Sequence, residues 1–361
     1  PYFVPEIKSF DAYMAEGVIS YIGQDLWESY YDTVLAEAVA PEKIRKANLN
    51  IVYTPLCGTG NEPVREVLGR LGVNISVVEC QEKPDGDFKT CEYPNPETDA
   101  ALNESYKIAR EKPCDVILGT DPDCDRVAIA VPDGDGFRKL SGNELGFLLM
   151  DYILKARSEK NDIPDGAIVV RSIVSSPLAD RIAEHYGVEM HAVLTGFKYI
   201  GEFIKKLEND GRENEFVLGF EESYGYLVGT HVRDKDATVA SLVITEMASE
   251  YKKQGITLVD RLESLYNEFG YYEHLVYSYK FAGSAGADKM KVILNGLREN
   301  APADFGGIKV NEVIDYANGV DDLPKANVLI YNLEGGSQVV VRPSGTEPLI
   351  KTYITLSKTK E

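Results

Sequence analysis

The sequence predicts two similar α/β domains with mostly parallel, mixed sheets, followed by a smaller α+β domain on an antiparallel sheet. Strand-like apolar runs alternate with helical spacing from residue 50 to about residue 220, the pattern of sheets covered by helices on both faces. Val67-Leu-Gly-Arg-Leu-Gly-Val-Asn-Ile-Ser-Val-Val78 and Ile182-Ala-Glu-His-Tyr-Gly-Val-Glu-Met-His-Ala-Val193 share a helix, glycine, strand pattern, which points to two domains of one kind. Beyond residue 270, short strands joined by turns and a single helix indicate the α+β domain.

Residues 1–45 read as a lead-in with one helix over 26–38. The first domain, 46–140, opens with a strand over 50–55 and the turn Leu56-Cys-Gly-Thr-Gly-Asn61. A helix follows from Pro63, where the missing N–H of proline is harmless in the first turn, and ends at Gly72. A strand over 73–79, a proline-rich loop over 83–98 and a helix over 99–111 lead to two apolar strands around Gly119-Thr-Asp-Pro-Asp-Cys-Asp-Arg126. Ser141 and Glu144 form a capping-box signature at the start of the second domain, 141–270, and Leu145, Leu148, Leu149, Tyr152 and Ile153 mark one face of its first helix. Strands over 167–171, 188–194 and 216–219 alternate there with helices over 177–186, from 198, over 237–253 and over 259–269. The third domain, 271–361, begins with the alternating 271–279 segment, then a helix over 287–299 and strands over 328–333, 338–342 and 350–356. The chain opens without Met and stops soon after its last strand, so both ends read as cut.

With 44% hydrophobic residues in 361, the chain can bury substantial cores. No run approaches the roughly 18 apolar residues of a membrane span, and the start lacks a basic region followed by an apolar one. Five cysteines without Cys-x-x-Cys spacing argue against a disulfide framework or a zinc ribbon and for a reducing cytoplasm. A formal net charge of -20 disfavours nucleic acid and anionic membranes as partners.

Asp121, Asp123 and Asp125 converge on one short loop, where they repel one another unless a cation sits among them, and hard oxygen donors suit Mg²⁺. An EF-hand does not fit, because Arg126 stands where glycine is needed and Pro132 where the bidentate Glu belongs. An aspartyl-phosphate nucleophile suits the strand end but leaves the third Asp and Arg126 unused, and an acidic surface turn is the plainest alternative. At the other end of the chain, Arg342-Pro-Ser-Gly-Thr346 offers a bidentate cation, the hydroxyls of Ser344 and Thr346, and Gly345 for close backbone approach, which together suit a phosphate. An ordinary hairpin turn is the alternative there. Gly219-Phe-Glu-Glu-Ser-Tyr-Gly-Tyr226 places carboxylates and a hydroxyl at a strand end, fit for sugar hydroxyls. Lys198, Arg233 and Lys235 fall near the same sheet edge, and His231 could titrate near neutrality. Cation, sugar and phosphate loops in one chain imply a sugar phosphate.

On these four loops, in this order, the chain resembles the α-D-phosphohexomutase family, and its glucose-type phosphoglucomutases most closely. The resemblance begins with the family's second domain and implies Mg²⁺ ligation by Asp121, Asp123 and Asp125. It implies catalytic roles for Arg126, Lys198 and Lys235, and substrate binding by Glu221, Ser223, Arg233, Arg342, Ser344, Gly345 and Thr346. The implied parent interconverts glucose 1-phosphate and glucose 6-phosphate through a phosphoserine and glucose 1,6-bisphosphate. Mannose and pentose phosphates are competing substrates, and a non-catalytic sugar-phosphate binding module is the alternative of another class. Two departures stand out. Cys57 occupies the place of a family histidine, and the family's own first domain, which carries the Ser-His-x-Pro phosphoserine loop and would precede the 46–140 domain, is missing, so the chain alone is expected not to turn over.

Overall fold

The computed structural model describes residues 7–345 and 348–358, and its strands form three sheets. The first part of the chain supplies α1 (Phe10–Ala15), α2 (Gln24–Ala36), α3 (Glu42–Ala47), β1 (Asn50–Thr54), α4 (Asn61–Arg70), β2 (Asn74–Val77), α5 (Asn103–Glu111), β3 (Val116–Thr120), β4 (Val127–Asp133) and β5 (Gly136–Lys139). Its strands lie in the order β2-β1-β3-β4-β5, with β2, β1 and β3 parallel and the last two antiparallel. Next come α6 (Gly142–Glu159), β6 (Ile168–Ser172), α7 (Leu178–His185), β7 (Glu189–Val193), α8 (Phe197–Asn209), β8 (Phe216–Glu221), β9 (Gly225–Val228), α9 (Ala237–Gln254) and α10 (Leu258–Phe269). The second sheet has the order β7-β6-β8-β9, and β9 is its antiparallel member.

The two sheets thus repeat one topology: edge strand, central strand, third parallel strand, antiparallel return. The β3–β4 loop, with its aspartates, and the β8–β9 loop, with its carboxylates, are therefore equivalent positions of two copies. Both leave the carboxyl end of a parallel strand, where open α/β sheets bind ligands.

The rest of the chain forms β10 (Tyr271–Lys280), α11 (Gly283–Glu299), β11 (Asp304–Phe305), β12 (Ile308–Asp315), β13 (Leu329–Leu333), β14 (Gln338–Pro343) and β15 (Leu349–Lys358). They make an antiparallel sheet in the order β10-β15-β14-β13-β12-β11. The sequence reading omits β12 because a register shift between Val310 and Glu312 interrupts its alternation.

Helix α9 ties the first two sheets together. Its residues from Ala237 to Ser249 are buried on every side, against α2, α3, α4 and β9 among others. Inside that packing Glu246 accepts the N–H groups of Val39 and Ala40, so part of the segment read as a lead-in is fastened to the core. The Ser141/Glu144 capping box is present at the start of α6. Within α6, Asp151 is buried and meets Arg261 through two bonds of 2.8 and 2.6 Å, with the Tyr186 and Tyr251 hydroxyls donating to the same carboxylate. Among the described residues no helix is long and apolar enough to cross a membrane.

Candidate active site

The β3–β4 loop is shaped by its own first carboxylate. Asp121 Oδ1 accepts the N–H groups of Asp125 at 3.0 Å and Arg126 at 2.9 Å. Cys124 takes a left-handed φ of 59°, which a side chain disfavours, and its carbonyl accepts the N–H of Ala237 at the start of α9 at 3.1 Å. One oxygen from each of Asp121, Asp123 and Asp125 then lies within 4.8 Å of the others, from buried Asp121 to exposed Asp123. Burial first, and then the charges of Asp125 and Asp123, raise the Asp121 carboxyl above the usual carboxylate range. Asp125 Oδ1 is buried without a hydrogen-bond partner, with Arg126 Nε 3.7 Å away. An all-oxygen donor set with mutual repulsion and an orphaned oxygen fits a hard divalent cation such as Mg²⁺.

The β8–β9 hairpin lies directly beside this loop. Arg126 forms a backbone bridge to Gly225, and the Val127 N–H donates to the Tyr224 carbonyl at 3.1 Å. Tyr224 at the hairpin tip also has a positive φ, 67°. Lys235 lies across Gly225, where a Cβ would come within 2.3 Å of the lysine Cδ. From there its Nζ reaches Asp125 Oδ2 at 2.8 Å and Asp234 Oδ1 at 2.9 Å. Burial alone would lower the Lys235 pKa, but the two carboxylates outweigh it and the ammonium is held above its ordinary value. Glu221 Oε1 accepts the Gly196 N–H at 2.6 Å, and burial together with the adjacent Glu222 pushes its carboxyl up to about 7. The Ser223 hydroxyl donates to Glu222 at 3.1 Å.

The β14–β15 hairpin supplies the third component. Arg342 and Lys351 are register partners at its base, and Arg342 Nε donates to the Tyr353 hydroxyl at 3.3 Å. Lys351 and Tyr353 line one cleft with Glu222, Ser223 and Tyr224, so this hairpin faces the β8–β9 loop, and Arg342 acts electrostatically on Glu221 and Glu222. The Ser344 N–H donates to the Leu349 carbonyl at 2.8 Å and closes the loop, while Gly345 has open space where a side chain would be. Thr346 lies outside the described residues.

Asp121, Asp123, Asp125, Arg126, Lys235, Glu221, Ser223 and Arg342 therefore gather around the adjoining loops. Lys198 is exposed at the start of α8, with its Nζ 4.8 Å from the centre of the Tyr199 ring. Arg233 bonds to Glu208 on α8 and to the Thr230 and Val232 carbonyls, fastening its own loop. The His231 side chain is shielded from solvent and pairs with Asp236, 2.9 Å away, and Asp236 caps α9. Cys57 is buried at a left-handed φ of 60°, and burial raises its thiol.

Glu222, Lys351 and Tyr353 line a cleft of about 170 Å³ together with Ser223, Tyr224 and His274; the sequence offers Glu222 as one of two adjacent carboxylates and Lys351 as added charge beside the phosphate loop, but does not point to Tyr353. The Glu221-Glu222 doublet is visible in sequence, but its spacing does not say which carboxylate meets ligand. Tyr353 shares a strand face with Lys351 by their spacing of two, a signal that gains meaning only once β14 is placed beside them.

Two family models match the chain. The model for phosphoglucomutase/phosphomannomutase alpha/beta/alpha domain II matches residues 28–134, and that for domain III matches residues 141–269. The phosphoglucomutase of Staphylococcus epidermidis is 35% identical over 98% of this chain and 64% of its own length. That of Staphylococcus aureus strain MRSA252 is 36% identical over 87% of this chain and 58% of its own length. The chain thus spans less than two thirds of these curated relatives. Among solved structures, Paramecium pp63/parafusin, a phosphoglucomutase in its open form, superposes with a TM-score of 0.65 at 20% identity, over 93% of this chain and 57% of the other. The N-acetylphosphoglucosamine mutase of Aspergillus fumigatus, solved with GlcNAc-6P and magnesium, gives 0.54 at 14% identity, over 90% and 61%. At those identities the structural likeness supports the fold alone.

Proposed function

The chain belongs to the phosphoglucomutase/phosphomannomutase family, and from that membership we propose that it carries the cation, sugar and distal-phosphate parts of a phosphoglucomutase site. The parent enzyme would interconvert glucose 1-phosphate and glucose 6-phosphate through a phosphoserine and glucose 1,6-bisphosphate. The observation that carries this reading is the junction of the two equivalent loops, in which Arg126 bridges Gly225 and Lys235 pairs with Asp125. In this reading a cation site adjoins groups that receive sugar hydroxyls, and Arg342 of the third sheet acts electrostatically on Glu221 among them.

In this reading Asp121, Asp123 and Asp125 hold Mg²⁺, which when bound offsets negative charge on the transferred phosphoryl group. Arg126 and Lys235 keep positive charge at the same edge, already oriented and partly desolvated. Lys198, exposed at the start of α8, adds a cation, and Arg233 steadies the loop that carries Lys235. Glu221 and Ser223 receive sugar hydroxyls, and a carboxyl raised to about 7 lets Glu221 accept or donate a hydrogen bond near neutrality. Arg342, Ser344, Gly345 and Thr346 hold the phosphate that is not reacting. Residues 1–361 hold no Ser-His-x-Pro segment, so in this reading they bind substrate and depend on a phosphoryl-donating serine from elsewhere for turnover.

Calorimetry with glucose 1-phosphate, mannose 1-phosphate and ribose 1-phosphate in Mg²⁺ tests the reading, with glucose 1-phosphate expected to bind most tightly. Tighter mannose 1-phosphate binding would favour phosphomannomutase, which the matching family models also cover, and tighter ribose 1-phosphate binding would favour a phosphopentomutase. Absence of binding to all three would defeat it. Formation of glucose 6-phosphate by the chain with glucose 1,6-bisphosphate present would refute the placement of the serine outside it.

A further inference from the structure

Glu222 has no part in the function just described, yet it is as enclosed as Glu221 beside it. It is 8% exposed, Oε1 accepts the Ser223 hydroxyl at 3.1 Å, and Oε2 is buried without a hydrogen-bond partner. Its backbone is seated on the start of α6, because a Cβ on Gly142 would lie 2.0 Å from the Glu222 carbonyl oxygen. A carboxylate enclosed in this way needs opposite charge nearby if it is to stay ionised.

Two cations of the C-terminal sheet act on it electrostatically: Lys351, which lines the same cleft, and Arg342. They face each other across β14 and β15 at the base of the hairpin whose loop Ser344 and Leu349 close. Tyr353, two residues beyond Lys351, receives Arg342 Nε at 3.3 Å. His274 on β10 reaches the same cleft, its Nδ1 2.9 Å from Thr355 Oγ1 and its buried Nε2 without a partner.

We propose that Glu222 is a positioning residue: from the second sheet it engages Arg342 and Lys351 of the third, sets the phosphate hairpin over the sugar hairpin, and yields those cations to incoming phosphate. This rests on the reading of the Arg342 loop as a phosphate site. Two effects of opposite sign follow. Glu222 competes with any anion for Arg342 and Lys351, so it weakens the binding of phosphate alone. It also holds two loops in register, so it favours a ligand that spans both.

The test is calorimetry of the whole chain with inorganic phosphate and with glucose 1-phosphate in Mg²⁺. Glu222→Gln should bind inorganic phosphate more tightly, while the ratio of glucose 1-phosphate to inorganic phosphate affinity falls about tenfold, the scale of one charge-assisted interaction. Loosening of the fold alone would not strengthen phosphate binding. An unchanged ratio overturns the proposal. Should Glu222→Gln fail to fold, Glu222→Asp keeps the charge but draws it back, so the ratio should fall with no gain for inorganic phosphate, and an unchanged ratio again overturns the proposal. Arg342→Ala separates the premise: if it binds inorganic phosphate like wild type, the phosphate-loop reading fails and takes the proposal with it. If Arg342→Ala abolishes that binding while the Glu222 variants keep the wild-type ratio, the proposal alone fails.

Discussion

Replacing Gly142 with alanine probes the seat of the β8–β9 hairpin at a single atom. The new Cβ would lie 2.0 Å from the Glu222 carbonyl oxygen, 2.7 Å from its carbon and 2.9 Å from the Tyr224 nitrogen. All three are backbone atoms with no side-chain rotation to relieve them, so the strain belongs at the upper end of overpacking, about 3 kcal/mol. The Gly142 carbonyl also accepts the buried Tyr226 hydroxyl at 2.8 Å, and disturbing that bond costs about 1 kcal/mol more. Better helix propensity returns at most about 1 kcal/mol. The net expectation is a destabilisation of about 3 kcal/mol, with the Glu222–Tyr224 segment displaced and glucose 1-phosphate bound more weakly. Gly69 in α4 is the control, since a Cβ there meets nothing within 4 Å, and its alanine variant should be stabilised by about 0.5–1 kcal/mol. Urea unfolding followed by circular dichroism, with a parallel ligand titration, reads both. A Gly142→Ala variant with wild-type midpoint and affinity would refute this account of how the hairpin is held.

Further outcomes follow from the same geometry. Mg²⁺ should raise the melting temperature of the wild-type chain in a concentration-dependent way and leave Asp125→Asn unmoved, as differential scanning calorimetry would record. Asp151→Ala should destabilise by about 3–5 kcal/mol in urea, because it leaves Arg261 and two tyrosine hydroxyls without their partner, while Mg²⁺ affinity by calorimetry stays unchanged. Burial holds the His274 imidazole down to about 4, whereas the unfolded chain takes up that proton near pH 6.5. Stability should therefore fall as pH drops from about 6.5 to about 4, and urea midpoints at pH 7 and pH 5 should show a smaller fall in His274→Gln.

The α/β architecture was legible because its strands are apolar runs bounded by glycine and proline, and its helices carry strong end signals such as Ser141 with Glu144. The α6 capping box forms as that spacing requires. β12 was not legible, because its bulge breaks the period of two. The aspartate loop stood out because carboxylates on alternate positions between buried strands have few other uses. The contact of Lys235 with Asp125 was less visible, since it depends on the Arg126–Gly225 bridge between two sheets and on the absence of a side chain at Gly225. Arg233 shows the converse. Its position in sequence suggests a ligand cation, yet local geometry gives its guanidinium to Glu208 and two carbonyls. Charge type is written in the sequence, whereas the direction a long side chain takes is set by neighbours from distant segments.

The central claim is that a single sugar phosphate spans three loops from three sheets. The most direct measurement is the calorimetric affinity for glucose 1-phosphate in Mg²⁺ of the wild-type chain and of Asp125→Asn, Glu221→Gln and Arg342→Ala. Each variant should retain its fold and lose at least about tenfold in affinity, the scale of one charge-assisted contact. A folded variant of any one loop that binds like wild type would contradict the claim.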